Sequence, residues 1–288
     1  MLAFSNISQK TVLGKLLRLP LRLLPPEMPV IILQGKLKGK KWIAGSYKHS
    51  CWLGCYEFYN QRFVTSVVKP GTVFFDLGAN VGFYTLLASV LVGEKGQVFA
   101  FEPLPRNLNY LERHLRFNNV KNVTVIKAAV SDHSGKTIFY DMGEEGGGGQ
   151  ISSAFNSKDN ANNTGNQTPC KATLPIDLVQ LDSLVLEGKL PEPDYMKIDV
   201  EGAEADVLMG SQTILKTKHP IIFLSTHNSE VHHRCLRILD NLGYKCEPLF
   251  DKDLDTCKEL VAAYNKPGNP SIENGMLAES APSVSSIV

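Results

Sequence analysis

The sequence predicts an α/β fold in which a central, mostly parallel twisted sheet carries helices on both faces. From Gly71 onwards, short runs of β-branched and aromatic residues alternate with longer stretches of helical periodicity. The short runs are apolar throughout instead of alternating, which is typical of parallel strands that are covered on both faces. These two observations together indicate one α/β domain.

Five segments of this domain are predicted to be strands. In chain order they are residues 72–76 (TVFFD), 97–102 (QVFAFE), 123–130 (VTVIKAAV), 194–199 (DYMKID) and 220–226 (PIIFLST). Apolar residues at helical spacing predict helices within 83–90, 104–115 and 205–214. Helices therefore follow the first, second and fourth strands.

Three segments differ in composition from the domain, which we place at residues 50–264. Residues 1–49 are predicted to form a basic N-terminal arm, and residues 141–170, rich in glycine and asparagine, a flexible insertion. The insertion either covers the substrate or is plainly disordered. Residues 265–288 contain no aromatic side chain and are predicted to be a disordered tail.

The charge distribution limits the classes of partner. The whole chain carries a formal charge of only +1, which argues against a protein that wraps nucleic acid. Positive charge is concentrated in residues 1–41, where a short basic amphipathic helix would make weak contact with an anionic membrane; a solvated arm is the favoured interpretation. No apolar stretch is long enough to cross a bilayer and no signal-peptide pattern is visible, so we expect a cytoplasmic protein.

The first chemical motif is the loop of residues 76–82 (DLGANVG), between the first strand and the first long helix. In an open α/β sheet, ligands bind beyond the carboxyl ends of the strands, and glycines let the backbone approach them closely. Glu102 closes the second strand, twenty positions after Gly82, where an acidic side chain accepts hydrogen bonds from ribose hydroxyls. Together these features predict a nucleoside ligand.

The spacing of the glycines helps to identify the nucleoside. A dinucleotide site needs G-x-G-x-x-G to make room for a pyrophosphate, whereas Gly78 and Gly82 are spaced as G-x-x-x-G. Asp76 precedes them, and a carboxylate there repels phosphate but attracts an ammonium group such as that of S-adenosylmethionine. The alternative is structural, with the glycines turning the chain and Asp76 capping the helix.

Three ordered strings, DLGANVGFYT (76–85), AFEP (100–103) and MKIDVEGAE (196–204), resemble the FkbM-type family of S-adenosylmethionine-dependent methyltransferases. The resemblance extends over residues 50–250. It implies a Rossmann-like class I methyltransferase fold with S-adenosylmethionine as the cofactor. It also implies transfer of a methyl group to a hydroxyl oxygen of a sugar, glycan or natural-product acceptor.

The resemblance further implies roles for individual residues along the cofactor and at the acceptor. These residues are Asp76, Gly78, Asn80 and Gly82 at the methionine end, Glu102 at the ribose, Ser131 and Asp132 at the adenine edge, and Asp199 and Glu201 at the acceptor. The cofactor would thus lie along the first three strands and the acceptor beyond the fourth.

Methyl transfer from a sulfonium is an in-line displacement that needs alignment and removal of the acceptor's proton. Asp199 ends the fourth strand, and its carboxylate either accepts this proton or holds a divalent cation such as Mg²⁺, with Glu201 as a second ligand. Alternatively, Glu201 stabilises the first turn of the next helix. His227 closes the fifth strand and is predicted to be a general base. Family members often carry an acid shortly before this histidine, whereas residues 224–226 are Leu-Ser-Thr here.

Two other functions stay open at this point. An NAD-linked oxidoreductase is disfavoured because the G-x-G-x-x-G motif is missing. A non-catalytic adaptor would bind a nucleoside and dock on a membrane through the basic arm, but Asp199, Glu201 and His227 argue for catalysis. The six cysteines lack the paired C-x-x-C spacing of a zinc site, so no zinc is predicted.

Overall fold

The computed structural model describes residues 24–143, 148–151, 172–249 and 253–265. The basic helix predicted near the N-terminus, most of the predicted insertion and the predicted tail lie outside the described residues. Within the described ranges, every helix lacks the length or the apolar composition needed to span a membrane.

The described strands form three sheets. In chain order they are β1 (Pro29–Ile31), β2 (Lys41–Ile43), β3 (Val73–Leu77), β4 (Gln97–Phe101), β5 (Val123–Ile126), β6 (Ala129–Val130), β7 (Gly135–Gly143), β8 (Gly148–Ile151), β9 (Ala172–Val179), β10 (Tyr195–Ile198), β11 (Ile221–Ser225), β12 (Tyr244–Pro248) and β13 (Glu259–Tyr264). The described helices are Ser50–Leu53, Phe58–Val67, Phe83–Val92, Pro105–Phe117, Leu181–Leu186, Glu204–Met209, Gln212–Thr217 and Ser229–Asn241. The sheet orders are β1-β2, β5-β4-β3-β10-β11-β13-β12 and β6-β9-β7-β8.

The central sheet has seven strands and confirms the predicted fold class, an α/β fold with a mostly parallel sheet. Strands β5, β4, β3, β10 and β11 run parallel, and β13 is antiparallel to its neighbours β11 and β12. The chain order reverses at β3, which lies between β4 and β10. Such a switch point leaves a crevice at the carboxyl ends of the strands, where ligands bind in open α/β sheets.

Helices cover both faces of the central sheet, as predicted. Successive side chains of a strand point to opposite faces, so neighbouring residues of β3 enter different cores. Phe75 belongs to the same buried cluster as residues of the helix Ser229–Asn241. Phe74 belongs to a second cluster with residues of the helix Phe83–Val92. Both phenylalanines are fully buried, which explains why the strand is apolar without alternation.

The second large sheet, β6-β9-β7-β8, differs from the sequence expectation in two places. The predicted strand 123–130 is divided, because β6 leaves the central sheet and pairs with β9. The described parts of the predicted flexible insertion are strands, with β7 reaching Gly143 and β8 beginning at Gly148. Along β7 and β9, buried apolar side chains alternate with more exposed ones, as in an antiparallel sheet with one covered face. The buried side chains are Phe139, Ile176 and Leu178.

A buried histidine, His114, provides one of the contacts between the hairpin of β1 and β2 and the rest of the domain. The Trp42 ring stacks on the His114 ring with the centroids 3.7 Å apart. His114 Nε2 accepts a hydrogen bond from the Ile43 N–H (3.1 Å), and its Nδ1–H donates to the Val81 carbonyl oxygen (2.8 Å). The described part of the predicted N-terminal arm is thus tied to the loop before the first long helix. The domain boundaries themselves stay a prediction.

The neutral His114 ring predicts a pH dependence of stability. Burial lowers the pKa of His114 from 6.5 to about 4, although the hydrogen bond to Val81 opposes this. Since only the neutral ring accepts the Ile43 N–H, its stabilising effect is complete above pH 6.5 and is lost as the pH falls towards 4. We expect the free energy of unfolding, measured by urea titration, to fall over this window more steeply in the native protein than in His114→Gln. Parallel curves for the two proteins would contradict this expectation.

Candidate active site

A cavity of about 210 Å³ opens at the carboxyl edge of the central sheet. Gly78 follows β3, Glu102 follows β4, Asp199 follows β10 and His227 lies two residues beyond β11, and all four line this cavity. The strand order places these four ends side by side, because parallel neighbours end at the same edge. The cavity therefore coincides with the crevice at the switch point.

Both glycines of the 76–82 loop adopt positive φ and lie close to other parts of the chain, Gly78 to the loop after β10 and Gly82 to the helix Pro105–Phe117. Gly78 has φ +82°, and a Cβ atom there would lie 2.0 Å from the carbonyl oxygen of Asp199. Gly82 has φ +91°, and its Cβ would lie 2.3 Å from the Leu111 side chain. Between them Asn80 also adopts positive φ (50°). The loop turns sharply at the cavity wall, so its backbone lines the cavity.

Asp76 is fully buried at the floor of the cavity. One carboxylate oxygen accepts a hydrogen bond from Thr85 Oγ1 (2.6 Å), and the other, Oδ1, has no partner among the described residues. Burial raises the pKa of Asp76, and the nearby Lys197 ammonium opposes this rise. A buried acceptor without a partner is costly, so the cavity suits a ligand that brings a positively charged donor.

Glu102 is also buried, and the protein uses most of its hydrogen-bonding capacity. Its carboxylate accepts from the backbone N–H groups of Asn80 (2.8 Å) and Leu104 (2.9 Å) and from Asn107 Nδ2 (3.3 Å). Burial nevertheless raises the pKa of Glu102 to about 7. A carboxylate has about four acceptor positions, and these hydrogen bonds occupy three of them.

Three predicted site residues, Gly82, Ser131 and Asp132, do not line the cavity. Ser131 is buried and its Oγ donates to Asp132 Oδ1 (3.3 Å), which also pairs with His133 Nδ1 (2.6 Å) at the surface. The cavity wall is formed instead by residues 128–130, which are Ala-Ala-Val. The cavity thus has an apolar wall here, and contact of Ser131 and Asp132 with an adenine edge stays a prediction.

Asp199, Glu201 and His227 meet on the other side of the cavity, as the sequence predicted. His227 Nε2 lies 3.1 Å from Glu201 Oε2 and 3.5 Å from Asp199 Oδ1. All three side chains are partly exposed, with 24 to 30% of each accessible. They are therefore close enough to act together and open enough to meet a ligand.

The charges of this cluster depend strongly on one another. Burial raises the pKa of Asp199, but the neighbouring Lys197 and His227 outweigh it and hold the pKa below its ordinary value. Burial raises the pKa of Glu201 to about 7, and His227 only partly opposes this. Burial lowers the pKa of His227, but its hydrogen bond to Glu204 and the carboxylates of Glu201 and Asp199 raise it to about 9.

Lys197 is a site residue that the sequence analysis missed. Its ammonium is buried on β10, donates to Asp199 Oδ2 at 2.8 Å and lies 4.7 Å from the centre of the Tyr84 ring. Burial opposes its charge, but Asp199, Asp76 and Glu57 raise the pKa of Lys197 well above its ordinary value. The sequence did contain a signal for it, namely a lysine within an apolar strand that is covered on both faces. Such positions rarely carry an unpaired charge, so the lysine indicated a charged partner nearby.

Glu204 is the second residue that was missed, although it lies within the MKIDVEGAE string. Its side chain is completely buried in the first turn of the helix Glu204–Met209. Oε1 accepts hydrogen bonds from the Gly202 N–H (2.9 Å) and from His227 Nδ1 (2.7 Å), and Oε2 has no partner among the described residues. Glu204 thereby fixes the orientation of the His227 ring.

Aromatic and basic side chains from before β3 line the cavity near this cluster. Tyr47 and Tyr56 are arranged edge to face, with ring centroids 5.8 Å apart. The exposed Lys48 ammonium lies 5.2 Å from the Tyr47 centroid and 5.7 Å from the Tyr56 centroid. These three residues form an amphipathic wall suited to a polar ring such as a sugar.

Glu259 brings a carboxyl group close to the strand end that precedes His227. Ser225 is paired in register with Glu259 on the antiparallel strand β13, and Ser225 Oγ donates to Glu259 Oε2 at 2.8 Å. Burial raises the pKa of Glu259 to about 7. A carboxyl group therefore reaches this part of the cavity from the adjacent strand. Nothing in the sequence near His227 indicates it.

Acidic side chains predominate in the cavity lining. The ionisable residues that line it are Glu57, Asp76, Glu102, Asp199, Glu201 and Glu259 on the acidic side, and Lys48, Lys197 and His227 on the basic side. This excess of carboxyl groups favours ligands that carry positive charge over phosphate-containing ligands.

Comparison with known protein families identifies a match to much of this region. Residues 76–246 match the family model described as the methyltransferase FkbM domain. The matched range includes the 76–82 loop, Glu102 and the Asp199, Glu201 and His227 cluster.

Two curated relatives share part of the sequence. Hexuronic acid methyltransferase AglP of Haloferax volcanii is 28% identical over 162 residues, which cover 56% of this chain and 59% of AglP. 2-O-methyltransferase NoeI of Sinorhizobium fredii is 24% identical over 175 residues, which cover 60% of this chain and 70% of NoeI. Among solved structures, methyltransferase FkbM from Methylobacillus flagellatus is similar over 75% of this chain and 52% of that chain, with 17% identity and a TM-score of 0.48.

The contact between Gly78 and Asp199 predicts a large effect of one methyl group. Gly78→Ala adds a Cβ in van der Waals overlap with backbone, whereas Gly71, with a similar φ of +81°, has open space around it. Gly71→Ala therefore isolates the cost of positive φ, about 1 to 2 kcal/mol. We expect Gly78→Ala to lower the free energy of unfolding by roughly 3 kcal/mol or more. Equal losses in the two variants, measured by urea titration, would show that the close approach is absent.

Proposed function

Because this chain belongs to the FkbM methyltransferase family, we propose that it transfers the methyl group of S-adenosylmethionine to a hydroxyl oxygen of a sugar, glycan or natural-product acceptor. The observation that carries the proposal is the single cavity that joins the 76–82 loop to the cluster of Asp199, Glu201 and His227. One half of this cavity suits a nucleoside with a cationic amino acid group. The other half offers proton acceptors for a hydroxyl.

The cofactor half fits S-adenosylmethionine by its donor and acceptor groups. The unpartnered Oδ1 of Asp76 would accept from the ammonium of the methionine part. The open acceptor position on Glu102 would receive a ribose hydroxyl, and the apolar wall at 128–130 would pack against the adenine. When bound, S-adenosylmethionine supplies an electrophilic methyl group, and the protein's task is to align it with the acceptor.

The acceptor half supports a hydroxyl-bearing ring. The curated relatives are named as a hexuronic acid methyltransferase and a 2-O-methyltransferase, which favours a sugar hydroxyl as the methylated group. Tyr47 and Tyr56 offer aromatic surface against which such a ring packs, and Lys48 offers a positive charge beside them. Hydroxyl groups on the ring would face Asp199.

We assign removal of the hydroxyl proton to Asp199 and not to His227. Both ring nitrogens of His227 are engaged, Nδ1 by Glu204 and Nε2 by Glu201, so neither is directed at an acceptor. Asp199 lines the cavity and is held by Lys197 through only one of its oxygens, Oδ2. Its other oxygen is available as a proton acceptor within hydrogen-bond reach of a bound hydroxyl. His227 then orients the carboxylates instead of acting as the base.

Other expectations belong to the same proposal. A cytoplasmic location, no contact with nucleic acid and weak membrane contact through the basic arm stay predictions. Binding of a divalent cation such as Mg²⁺ also stays a prediction. Neither the NAD-linked oxidoreductase nor the nucleoside-binding membrane adaptor finds support in the family match or in the curated relatives.

Calorimetric titration with S-adenosylhomocysteine tests the cofactor half. Glu102→Ala removes the ribose acceptor and is expected to weaken binding about tenfold or more, because hydrogen bonds to charged groups contribute roughly 1.5 to 3 kcal/mol. Glu112→Ala, which removes an exposed carboxylate paired with Lys127, is the matched control and should bind as the native protein does. Equal affinity of Glu102→Ala and native protein, or binding of NAD alone, would contradict the assignment.

Release of S-adenosylhomocysteine in the presence of hexuronic acid and neutral sugar glycosides tests the acceptor half. Asp199→Asn is expected to lower turnover by a factor on the order of a hundred, because it removes the proton acceptor. Its affinity for S-adenosylhomocysteine should stay close to that of the native protein. Asp177→Asn, at an exposed position on β9, provides the control for loss of one carboxylate. Unchanged turnover in Asp199→Asn would remove Asp199 from the mechanism.

A further inference from the structure

The atoms of Asp199, Glu201 and His227 are spaced as the ligands of one metal ion would be. One ligand atom from each residue lies within 4.8 Å of the other two. His227 Nε2 is 3.1 Å from Glu201 Oε2 and 3.5 Å from Asp199 Oδ1. Two adjacent ligands at bond lengths of about 2.0 to 2.2 Å are separated by about 3 Å, so only a small adjustment would bring all three onto one ion.

The orientation of His227 gives a second, independent indication of a metal. Histidine ligands typically donate their other ring nitrogen to a carboxylate, which fixes the ring and its tautomer. Glu204 does this here, with Oε1 accepting from His227 Nδ1 at 2.7 Å while its side chain is completely buried. The Gly202 N–H holds the same oxygen, and Oε2 stays unpartnered among the described residues. This arrangement directs Nε2 towards the two other ligands.

The surrounding charges favour a cation at this position. Lys197 binds Oδ2 of Asp199 from the buried side, which leaves Oδ1 on the side of His227. The cluster with Glu204 contains three carboxyl groups, and the wider cavity contains more carboxyl groups than basic groups. A divalent ion between the three ligands would offset this excess where the cavity meets solvent.

We infer that Asp199, Glu201 and His227 bind one divalent transition-metal ion, of the class of Mn²⁺, with Glu204 as the residue that positions the histidine. Mg²⁺ prefers oxygen ligands and retained water, whereas an imidazole with two carboxylates suits Mn²⁺ and its neighbours in the first transition series. We therefore expect Mn²⁺ at this site instead of the Mg²⁺ considered in the sequence analysis. Three protein ligands leave positions for water or an acceptor oxygen.

Metal binding itself does not depend on the proposed methyl transfer, but its use does. With the ion bound, Oδ1 of Asp199 would serve as a ligand and would no longer accept the hydroxyl proton directly. An acceptor hydroxyl at an open position of the ion would instead become more acidic, and this use of the metal rests on the proposed function. Binding is therefore tested without an acceptor, and S-adenosylhomocysteine is titrated into the same samples. Protein that binds S-adenosylhomocysteine but no Mn²⁺ overturns only the metal site, whereas protein that binds Mn²⁺ but no S-adenosylhomocysteine overturns only the cofactor assignment.

Electron paramagnetic resonance with Mn²⁺ as the probe tests the site in the full chain. We expect one bound ion per chain, and about tenfold or weaker binding in both His227→Gln and Glu201→Gln. Glu259→Gln removes a carboxyl group from the same cavity but outside the three ligands, and it should bind Mn²⁺ nearly as the native protein does. Equal losses in all three variants would show that only general negative charge attracts the ion and would overturn the site.

Electron spin-echo measurements on the native protein provide a test that needs no variant. A histidine ligand gives bound Mn²⁺ a nitrogen hyperfine coupling, which we expect in the native protein and not in His227→Gln. Bound Mn²⁺ without nitrogen coupling would overturn the assignment of His227. Displacement of Mn²⁺ by an equal concentration of Mg²⁺ would overturn the preference for a transition metal.

Discussion

The ammonium group of Lys197 lies buried in the middle of the central sheet, and the arrangement of the active-site edge depends on how its charge is balanced. Lys197 on β10 is paired in register with Asp76 on β3, and it donates to Asp199 at 2.8 Å. A buried charge costs several kcal/mol unless it is paired, so these two carboxylates are what allow a lysine at this position. In the proposed assignment, Asp76 lies in the cofactor half of the cavity and Asp199 in the acceptor half. One cation therefore links the two halves.

Backbone hydrogen bonds hold the same loops in place at the sheet edge. The Asp199 N–H donates to the Leu77 carbonyl oxygen, and the Gly78 N–H donates to the Phe101 carbonyl oxygen, each at 3.0 Å. The loops after β3, β4 and β10 are thus joined to one another where the cavity opens. Because methyl transfer depends mainly on alignment, loops fixed by backbone contacts are suited to it. The same closeness leaves no room for a Cβ atom at position 78.

The sequence predicts those parts of the fold and site that depend on local pattern. Apolar runs identify the parallel strands, and polar residues at their carboxyl ends identify Glu102, Asp199 and His227. The strands β7 and β9 were not predicted from the sequence. Their side chains alternate instead of forming an apolar run, and the two strands are far apart in the chain. The position of Glu259 in the site could not be predicted either, because only antiparallel pairing brings it beside Ser225. Ser131 does not line the cavity, and the sequence could not indicate this because β6 leaves the central sheet just before it.

The central claim is that one cavity aligns a nucleoside methyl donor with the Asp199, Glu201 and His227 cluster. A crystal structure of the protein with S-adenosylhomocysteine tests it most directly. We expect the ribose hydroxyls at Glu102, the amino group at Asp76 and the sulfur atom facing Asp199 across the cavity. A nucleoside bound elsewhere, or a sulfur atom turned away from Asp199, would contradict the account.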